Sequence, residues 1–290
     1  MSTITLMTDF GIKDGNVGVM KGVILGIAPA VQIVDLSHVV AAQNIREAAL
    51  ILGRSAPYFP PGTVHVVVVD PGVGTARRPL AARIGTQLYV GPDNGIITLL
   101  LERAEQEGWT TEFVHLDKPA YWLADVSHVF HGRDIFAPCA AHLASGKTLN
   151  EIGTPVSDPA RIAFPRPLRT ADGLRGELIH IDHFGNAASN IRIEHVLELL
   201  SGEENPTAAI DEKSLRGAIN RIVASGARFS VSVAGVEIHG LISTFGERAP
   251  GEAVALFGST GSLFASVVNG SFAAEHAARV GQEFILRMQD

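Results

Sequence analysis

Val64-His65-Val66-Val67-Val68-Val69-Asp70-Pro71-Gly72-Val73-Gly74 is the stretch whose reading decides the fold. Val64 to Val69 is almost solid β-branched character with no polar alternation. Such a run is expected as a strand covered on both faces, as in a parallel sheet between helix layers. Asp70 ends it, and the following glycines let the backbone approach a ligand closely or adopt positive φ. Upstream, Thr3 to Met7 and Val31 to Leu36 are short apolar runs, several of their residues β-branched. Val17 to Ile27 between them has helical spacing and stops before Pro29. Asn44 to Arg54 is a second helix, with Ile45, Ala48, Ala49 and Leu52 on one face. Downstream, Leu80 to Ile84 and Gln87 to Val90 read as strands about a turn at Gly85-Thr86, and Asn94 to Arg103 and Arg133 to Leu143 read as helices. This βαβ alternation predicts a layered α/β domain.

The pattern changes after about residue 145. Thr154 to Pro167 holds four prolines and no strong period, which reads as a linker. Arg175 to Ile181, Arg228 to Val233, Val236 to Ile242, Ala253 to Phe257 and Glu283 to Met288 are short strand candidates, with a hairpin turn at Ala234-Gly235. Ile193 to Leu200 is the one helical pattern among them. The expected architecture is an N-terminal layered, Rossmann-like α/β domain over 1–168 and a C-terminal antiparallel β-barrel over 169–290.

Composition narrows the function. Of 290 residues, 46% are hydrophobic and 18% charged, ample for a buried core. A net charge of -7 gives no basic field, so no nucleic-acid partner is expected. No stretch approaches the roughly 18 uninterrupted apolar residues of a spanning helix, so no membrane partner is expected. Met1 to Phe10 reads as a strand rather than a signal peptide, and a cytoplasmic location is expected. Cys139, the single cysteine, excludes an intrachain disulfide and a Cys-based zinc site, and its apolar surroundings read as an inert core thiol.

Four segments place polar residues and glycines where a strand ends, the region where α/β sheets bind ligands. In Thr8-Asp9-Phe10-Gly11, Asp9 suits a ribose diol, since a carboxylate accepts two donors, or it caps the next turn. In Asp70 to Arg78, Asp70 with Arg77 reads either as a structural ion pair or as a positioned carboxylate steadied by a guanidinium. The third glycine of a dinucleotide fingerprint is missing, and the phosphate-loop pattern is absent. In Phe130-His131-Gly132-Arg133-Asp134, His131 with Asp134 raises a metal reading, but no second His follows one turn away, and Asp134 is explained by the helix dipole. In Ile181-Asp182-His183-Phe184-Gly185-Asn186, Asp182 and Asn186 suit amine and amide groups and Phe184 can stack on a base. The alternative is an Asx turn with a core Phe. Most of the eleven His, among them His38, His65, His115, His142 and His276, show no partner in the sequence. Gly258-Ser259-Thr260-Gly261-Ser262 reads as a ligand-closing loop or a hairpin end.

Joined by Asp14-Gly15, Val34-Asp35-Leu36-Ser37-His38, Gln43-Asn44-Ile45, Phe59-Pro60-Pro61-Gly62-Thr63 and Gly91-Pro92-Asp93-Asn94-Gly95, these segments resemble the S-adenosylmethionine hydroxide adenosyltransferases, hydrolase relatives of the fluorinase and chlorinase. The resemblance covers nearly the whole chain and rests on the joint order and spacing of the segments. It implies hydrolysis of S-adenosylmethionine to adenosine and methionine by in-line attack of water at ribose C5′, with no cofactor or metal. It also implies a homotrimer with active sites between subunits. The catalytic set falls on Asp70, Arg77 and His131, with the adjacent Arg78 a competitor for the arginine place. Substrate-binding positions fall on Asp9, Gln43, Asn94, Asp182, Phe184, Asn186 and Ser259. Relatives often carry Arg after that serine, where this chain has Thr260, which leaves the methionine carboxylate without an assigned cation. The competing readings are a halogenase of the same superfamily, a non-catalytic sensor of S-adenosylmethionine or adenosine, and a metal-dependent hydrolase using Asp9, Asp70 and His131.

Overall fold

Hydrogen-bonded register, more than composition, shows why Val64 to Val69 is so apolar. In the computed structural model, which describes residues 2–201, 212–225 and 227–289, strand β3 (Val64–Val68) is buried at every position. It runs parallel to β1 (Thr3–Thr8) on one side and β5 (Gln87–Pro92) on the other. Beyond β1 lies β2 (Gln32–Ser37), also parallel. Beyond β5 lie β4 (Pro79–Ile84), β6 (Thr111–His115) and β7 (Thr154–Val156), all joined antiparallel. The sheet order is β2-β1-β3-β5-β4-β6-β7.

Helices cover the two faces. α1 (Asn16–Ile27) and α4 (Ala137–Ala144) pack with Ile4, Leu6, Val66 and Val68 in one core. α2 (Ile45–Ser55) and α3 (Thr98–Glu107) pack with Met7, Val67 and Val69 in the other. Alternate β3 residues therefore feed opposite cores, and the one polar residue of the strand, the fully buried His65, is tolerated because its Nδ1 bonds Thr5 Oγ1 at 2.8 Å. Asn44 caps α2, its side chain accepting the Glu47 N–H at 3.1 Å. A short helix α5 (Leu149–Ile152) leads into β7.

Several expectations shift. Helix α3 begins at Thr98, not Asn94, because Gly95 is left-handed (φ 95°) and Thr98 Oγ1 donates to its carbonyl at 2.7 Å. The helix expected from Arg133 opens as a π-helical turn, Gly132–Phe136, before α4 begins; such turns occur often at functional sites. Part of the expected linker is strand β7. The rest is tied down: the Ala160 N–H donates to Asp93 at 2.7 Å and the Ile162 N–H to Thr98 Oγ1 at 3.0 Å.

The chain divides into two compact units, Met1–Ala163 and Phe164–Asp290. The second holds β8 (Leu168–Arg169), β9 (Gly173–Ile181), β10 (Ala187–Arg192), α6 (Ile193–Ser201), α7 (Glu212–Ala224), β11 (Arg228–Val233), β12 (Val236–His239), β13 (Leu241–Ile242), β14 (Ala253–Phe257), β15 (Ser262–Val267), a short α8 (Phe272–Glu275) and β16 (Glu283–Gln289). Its path is β12-β11-β16-β9-β10-β15-β14-β13. The two ends of the path, β12 and β13, are consecutive in sequence and meet at Gly240 (φ 83°), so the sheet curls into a nearly closed barrel. What reads as one strand over 236–242 is thus two. The hairpin at Ala234-Gly235 has both residues left-handed (φ 50° and 77°), the geometry a two-residue turn requires. Strand β10 escapes sequence reading because its polar Ser189 and Asn190 are buried and bonded. Ser189 Oγ donates to the Leu263 carbonyl at 2.8 Å, and Asn190 Nδ2 donates to the Pro165 carbonyl at 2.8 Å.

Candidate active site

Asp70 is delivered to the carboxyl edge of the first sheet, one residue beyond the buried Val69. The turn after it folds back on itself. The Val73 N–H donates to the Asp70 carbonyl (3.2 Å), and Thr75 donates to the Gly72 carbonyl from both its N–H (3.1 Å) and its hydroxyl (2.7 Å). Arg77 is thereby turned onto Asp70. Its Nε donates to Oδ1 at 3.0 Å and its Nη2 donates to Oδ2. Both side chains are almost wholly buried, 5% exposed for Asp70 and 7% for Arg77. The same Nη2 lies 3.1 Å from His131 Nδ1. A guanidinium only donates, so Nδ1 accepts and the imidazole proton belongs on Nε2. Burial first, then the Arg77 charge, hold the His131 pKa below its ordinary 6.5 against the opposing pull of Asp70 and Asp134. Arg77 Nη1 is buried with no hydrogen-bond partner, and the guanidinium carbon lies 5.4 Å from the Phe136 ring centre.

Arg78 goes elsewhere. It donates to Asp93 Oδ2 (2.9 Å), Asp158 Oδ1 (2.8 Å) and the Asp158 carbonyl (2.7 Å). Of the two adjacent arginines, only Arg77 joins Asp70 to His131. Asn94 reaches the same corner from the β5 end, its Nδ2 donating to the Val69 carbonyl at 2.9 Å while its Oδ1 is buried without a partner.

Asp134 sits in the first helical turn, as expected, but does more than face the helix dipole. It is fully buried, bonded to Arg133 at 2.5 Å, and accepts the Ser127 N–H at 2.9 Å. Ser127 Oγ accepts the Phe130 N–H at 3.0 Å, so the loop before His131 is stitched to the π-helical turn after it. A methyl group at Gly74 would come 2.5 Å from the His128 carbonyl oxygen, which brings the Asp70 turn and the His131 loop into contact. Phe130 meets Phe10 edge-on, ring centres 5.7 Å apart, which brings the Asp9 loop to the same corner. Asp9 Oδ2 accepts the Gln43 N–H at 2.8 Å, and Gln43 holds a left-handed φ of 63° to present it. Among the described residues no group of three or more His, Cys, Asp or Glu is placed to hold a metal ion, and His131 Nδ1 is already engaged by a cation. Cys139 is buried, its pKa pushed up to about 12 by desolvation.

In the second unit Asp182 organises the β9–β10 turn. Its Oδ1 accepts the N–H groups of Phe184 and Asn186, both at 2.9 Å, and its Oδ2 accepts Asn186 Nδ2 at 2.8 Å. This is an Asx turn, but Phe184 is 72% exposed rather than a core residue. Ser259 is exposed on the β14–β15 turn. That turn adjoins the far end of β10, where Arg192 registers with Ser262 while Ala187 registers with Ala265. The second unit thus carries its candidate groups at two ends of one strand. The sequence shows no partner for His38; in the fold it bonds Thr8 and lies in ion-pair contact with Asp35, three residues away on the same strand end.

Fold and site together define a two-unit protein, a layered α/β body with a buried acid–guanidinium–imidazole corner followed by a β-barrel body. The chain belongs to the SAM hydroxide adenosyltransferase family: the family's N-terminal domain matches residues 4–153 and its C-terminal domain residues 176–285. A protein of Salinispora tropica named (R)-S-adenosyl-L-methionine hydrolase is 38% identical over 277 residues, 94% of this chain and 92% of that one. A protein of the same name from Thermus thermophilus is 36% identical over 290 aligned positions, 93% of this chain and 94% of that one. A fluorinase of Actinoplanes is 33% identical over 215 positions, 65% of this chain and 71% of its own. The crystal structure of an uncharacterized conserved protein from Thermotoga maritima superposes with a TM-score of 0.81 at 31% identity, covering 98% of this chain and 99% of that one.

Proposed function

We propose that this chain hydrolyses S-adenosyl-L-methionine to adenosine and L-methionine. A water attacks ribose C5′ in line with the C5′–S bond; the C–O bond forms as the C–S bond breaks, and sulfur leaves as a neutral thioether. The observation that carries this reading is the buried Asp70–Arg77–His131 corner, in which one carboxylate faces donors of fixed geometry. A sulfonium is already a good leaving group, so neither a general acid, a metal nor a cofactor enters the reading. What the reaction needs is a water held in near-attack geometry. Arg77 and the His131 Nε2–H orient it, and Asp70 takes its proton. A carboxylate is a weak base, but a water already bonding to carbon is a strong acid, so a weak base suffices.

Asp9 receives the ribose hydroxyls, with Gln43 and Asn94 bordering them. Asp182, Phe184, Asn186 and Ser259 serve the adenine and methionine ends. In this reading the assembly is a homotrimer in which the first unit of one copy and the second unit of a neighbour complete each site, and sedimentation equilibrium at three times the chain mass is the expected result. A cytoplasmic location goes with it; the single buried thiol of Cys139 fits a reducing compartment. Among the described residues no helix is long and apolar enough to cross a membrane.

The test is chromatography and mass analysis of reactions with each sulfonium epimer of S-adenosylmethionine, with and without chloride. Adenosine and methionine in equal amounts are expected. The names of the relatives favour the (R) epimer as the better substrate. A 5′-chloro product refutes hydrolysis in favour of halide transfer, which the buried Asp70 carboxylate disfavours by repelling an anion; tight binding without methionine release refutes it in favour of a sensor. The pH profile follows from His131. Protonation must occur at Nδ1, against the Arg77 charge, and breaks the corner. Because burial and Arg77 lower that pKa, kcat stays level as pH falls through 6.5 and drops only below it. An acid limb centred at or above 6.5 contradicts this assignment.

A further inference from the structure

Beneath the Asp9–Gln43 pair lies a chain of polar groups that the proposed chemistry does not use. Lys21 Nζ bonds Asp35 Oδ2 at 2.6 Å, Asp35 Oδ1 lies 3.0 Å from His38 Nε2, and His38 Nδ1 lies 2.9 Å from Thr8 Oγ1. The four residues come from α1, from the end and exit of β2, and from the end of β1. His38 is 8% exposed and Thr8 is fully buried.

The donors and acceptors have a definite order. His38 Nε2 faces the Asp35 carboxylate at 3.0 Å, an ion-pair contact without aligned hydrogen-bond geometry; a carboxylate favours the proton on that nitrogen, which leaves Nδ1 as an acceptor. The Thr8 hydroxyl donates to it. Thr8 Oγ1 in turn accepts the Phe10 N–H at 3.3 Å, and the His38 carbonyl accepts the Gly11 N–H at 2.7 Å. Both ends of the loop that carries Asp9 therefore rest on one residue, His38. From the other side Asp9 accepts the Gln43 N–H, and Gln43 lies at the end of the loop that His38 begins. The loops after β1 and β2 are clasped at their bases by His38 and at their tips by Asp9.

We propose that His38, acting through Thr8 and backed by Asp35 and Lys21, is a positioning residue that sets the direction of the Asp9 carboxylate toward the ribose diol. The inference rests on the proposed function, in which Asp9 receives that diol. A left-handed glutamine and a buried imidazole are both costly on their own. Together they orient one carboxylate oxygen and leave the other for a ligand.

The discriminating probe is a pair of nucleosides. Adenosine carries the two ribose hydroxyls that Asp9 would accept, and 2′,3′-dideoxyadenosine lacks both. Thr8→Val keeps the shape and removes the hydroxyl; His38→Gln removes the Nδ1 acceptor. Calorimetric titration of the full-length protein is expected to show adenosine bound about tenfold more weakly by each variant, the size of one lost buried hydrogen bond. Dideoxyadenosine affinity is expected to be unchanged, and Thr8→Ser to bind adenosine as the parent does. Equal losses for both nucleosides, or unchanged adenosine affinity in both variants, overturn the proposal. Should either variant fail to fold, the other carries the comparison, and melting curves identify that case. Failure of the unsubstituted protein to bind adenosine would sink the underlying function instead, so the two outcomes are separable.

Discussion

Asp70→Asn lowers kcat on S-adenosylmethionine by about a thousandfold while adenosine still binds, the scale of losing a positioned electrostatic group in a buried site. Both Asp70 oxygens take donors from Arg77. An amide in the same place turns one acceptor into an NH2 whichever way it flips, so one Arg77 donor faces another donor. The negative charge that draws the water's proton is lost at the same time. The isosteric change is chosen because truncation to alanine would leave a buried guanidinium unpaired, which costs on the order of 3–5 kcal/mol and can unfold the protein. Single-turnover release of methionine measures the chemical step, and calorimetry with adenosine measures the binding. A kcat within tenfold of the parent would remove Asp70 from the mechanism.

Arg77→Lys and Arg78→Lys are expected to separate sharply, although the two residues are neighbours. Arg77 makes a fork with Asp70 and a third contact with His131, and a lysine ammonium has no fork to do this. About a hundredfold loss of kcat is expected for Arg77→Lys, with a smaller change in KM, since orienting donors act mostly in the transition state. Arg78→Lys loses its contacts to Asp93 and Asp158, a partly exposed network that ties residues 158–160 to the end of β5. It is expected to lower the melting temperature by a few degrees, for a loss of about 1 kcal/mol, and to leave kcat alone. Steady-state kinetics with thermal melts of both variants checks the pair; the reverse pattern would reassign the catalytic arginine.

Much of this site was visible before any fold was known, and the reasons are local. Asp70 follows an apolar strand and precedes glycines, so its place at a strand end needs no tertiary information. Asp182 and Asn186 lie four residues apart, and the turn that joins them is written in their side chains. Where the reading failed, polarity misled it. β10 was not read as a strand because Ser189 and Asn190 break the apolar pattern, and most of their partners lie outside it, in β15, β9 and the segment before β8. For Phe184 the residues alone left a base-stacking and a core reading open, and the turn that Asp182 builds, which leaves the ring 72% exposed, removes the core one.

The sequence by itself determined the strand-and-glycine frame and the two-unit build, because these depend on spacing and burial within short segments; the grouping of Asp70 with Arg77 and His131 was implied only by the resemblance of the ordered segments to a known family. Only the tertiary structure decided which arginine meets Asp70. Residues 77 and 78 look alike in sequence, and the Thr75–Gly72 bonds turn one inward and leave the other to Asp93. It also decided that His38 serves Asp9. Thr8 and His38 are thirty positions apart, and what joins them is the parallel pairing of β1 with β2, in which Met7 lies against Ser37.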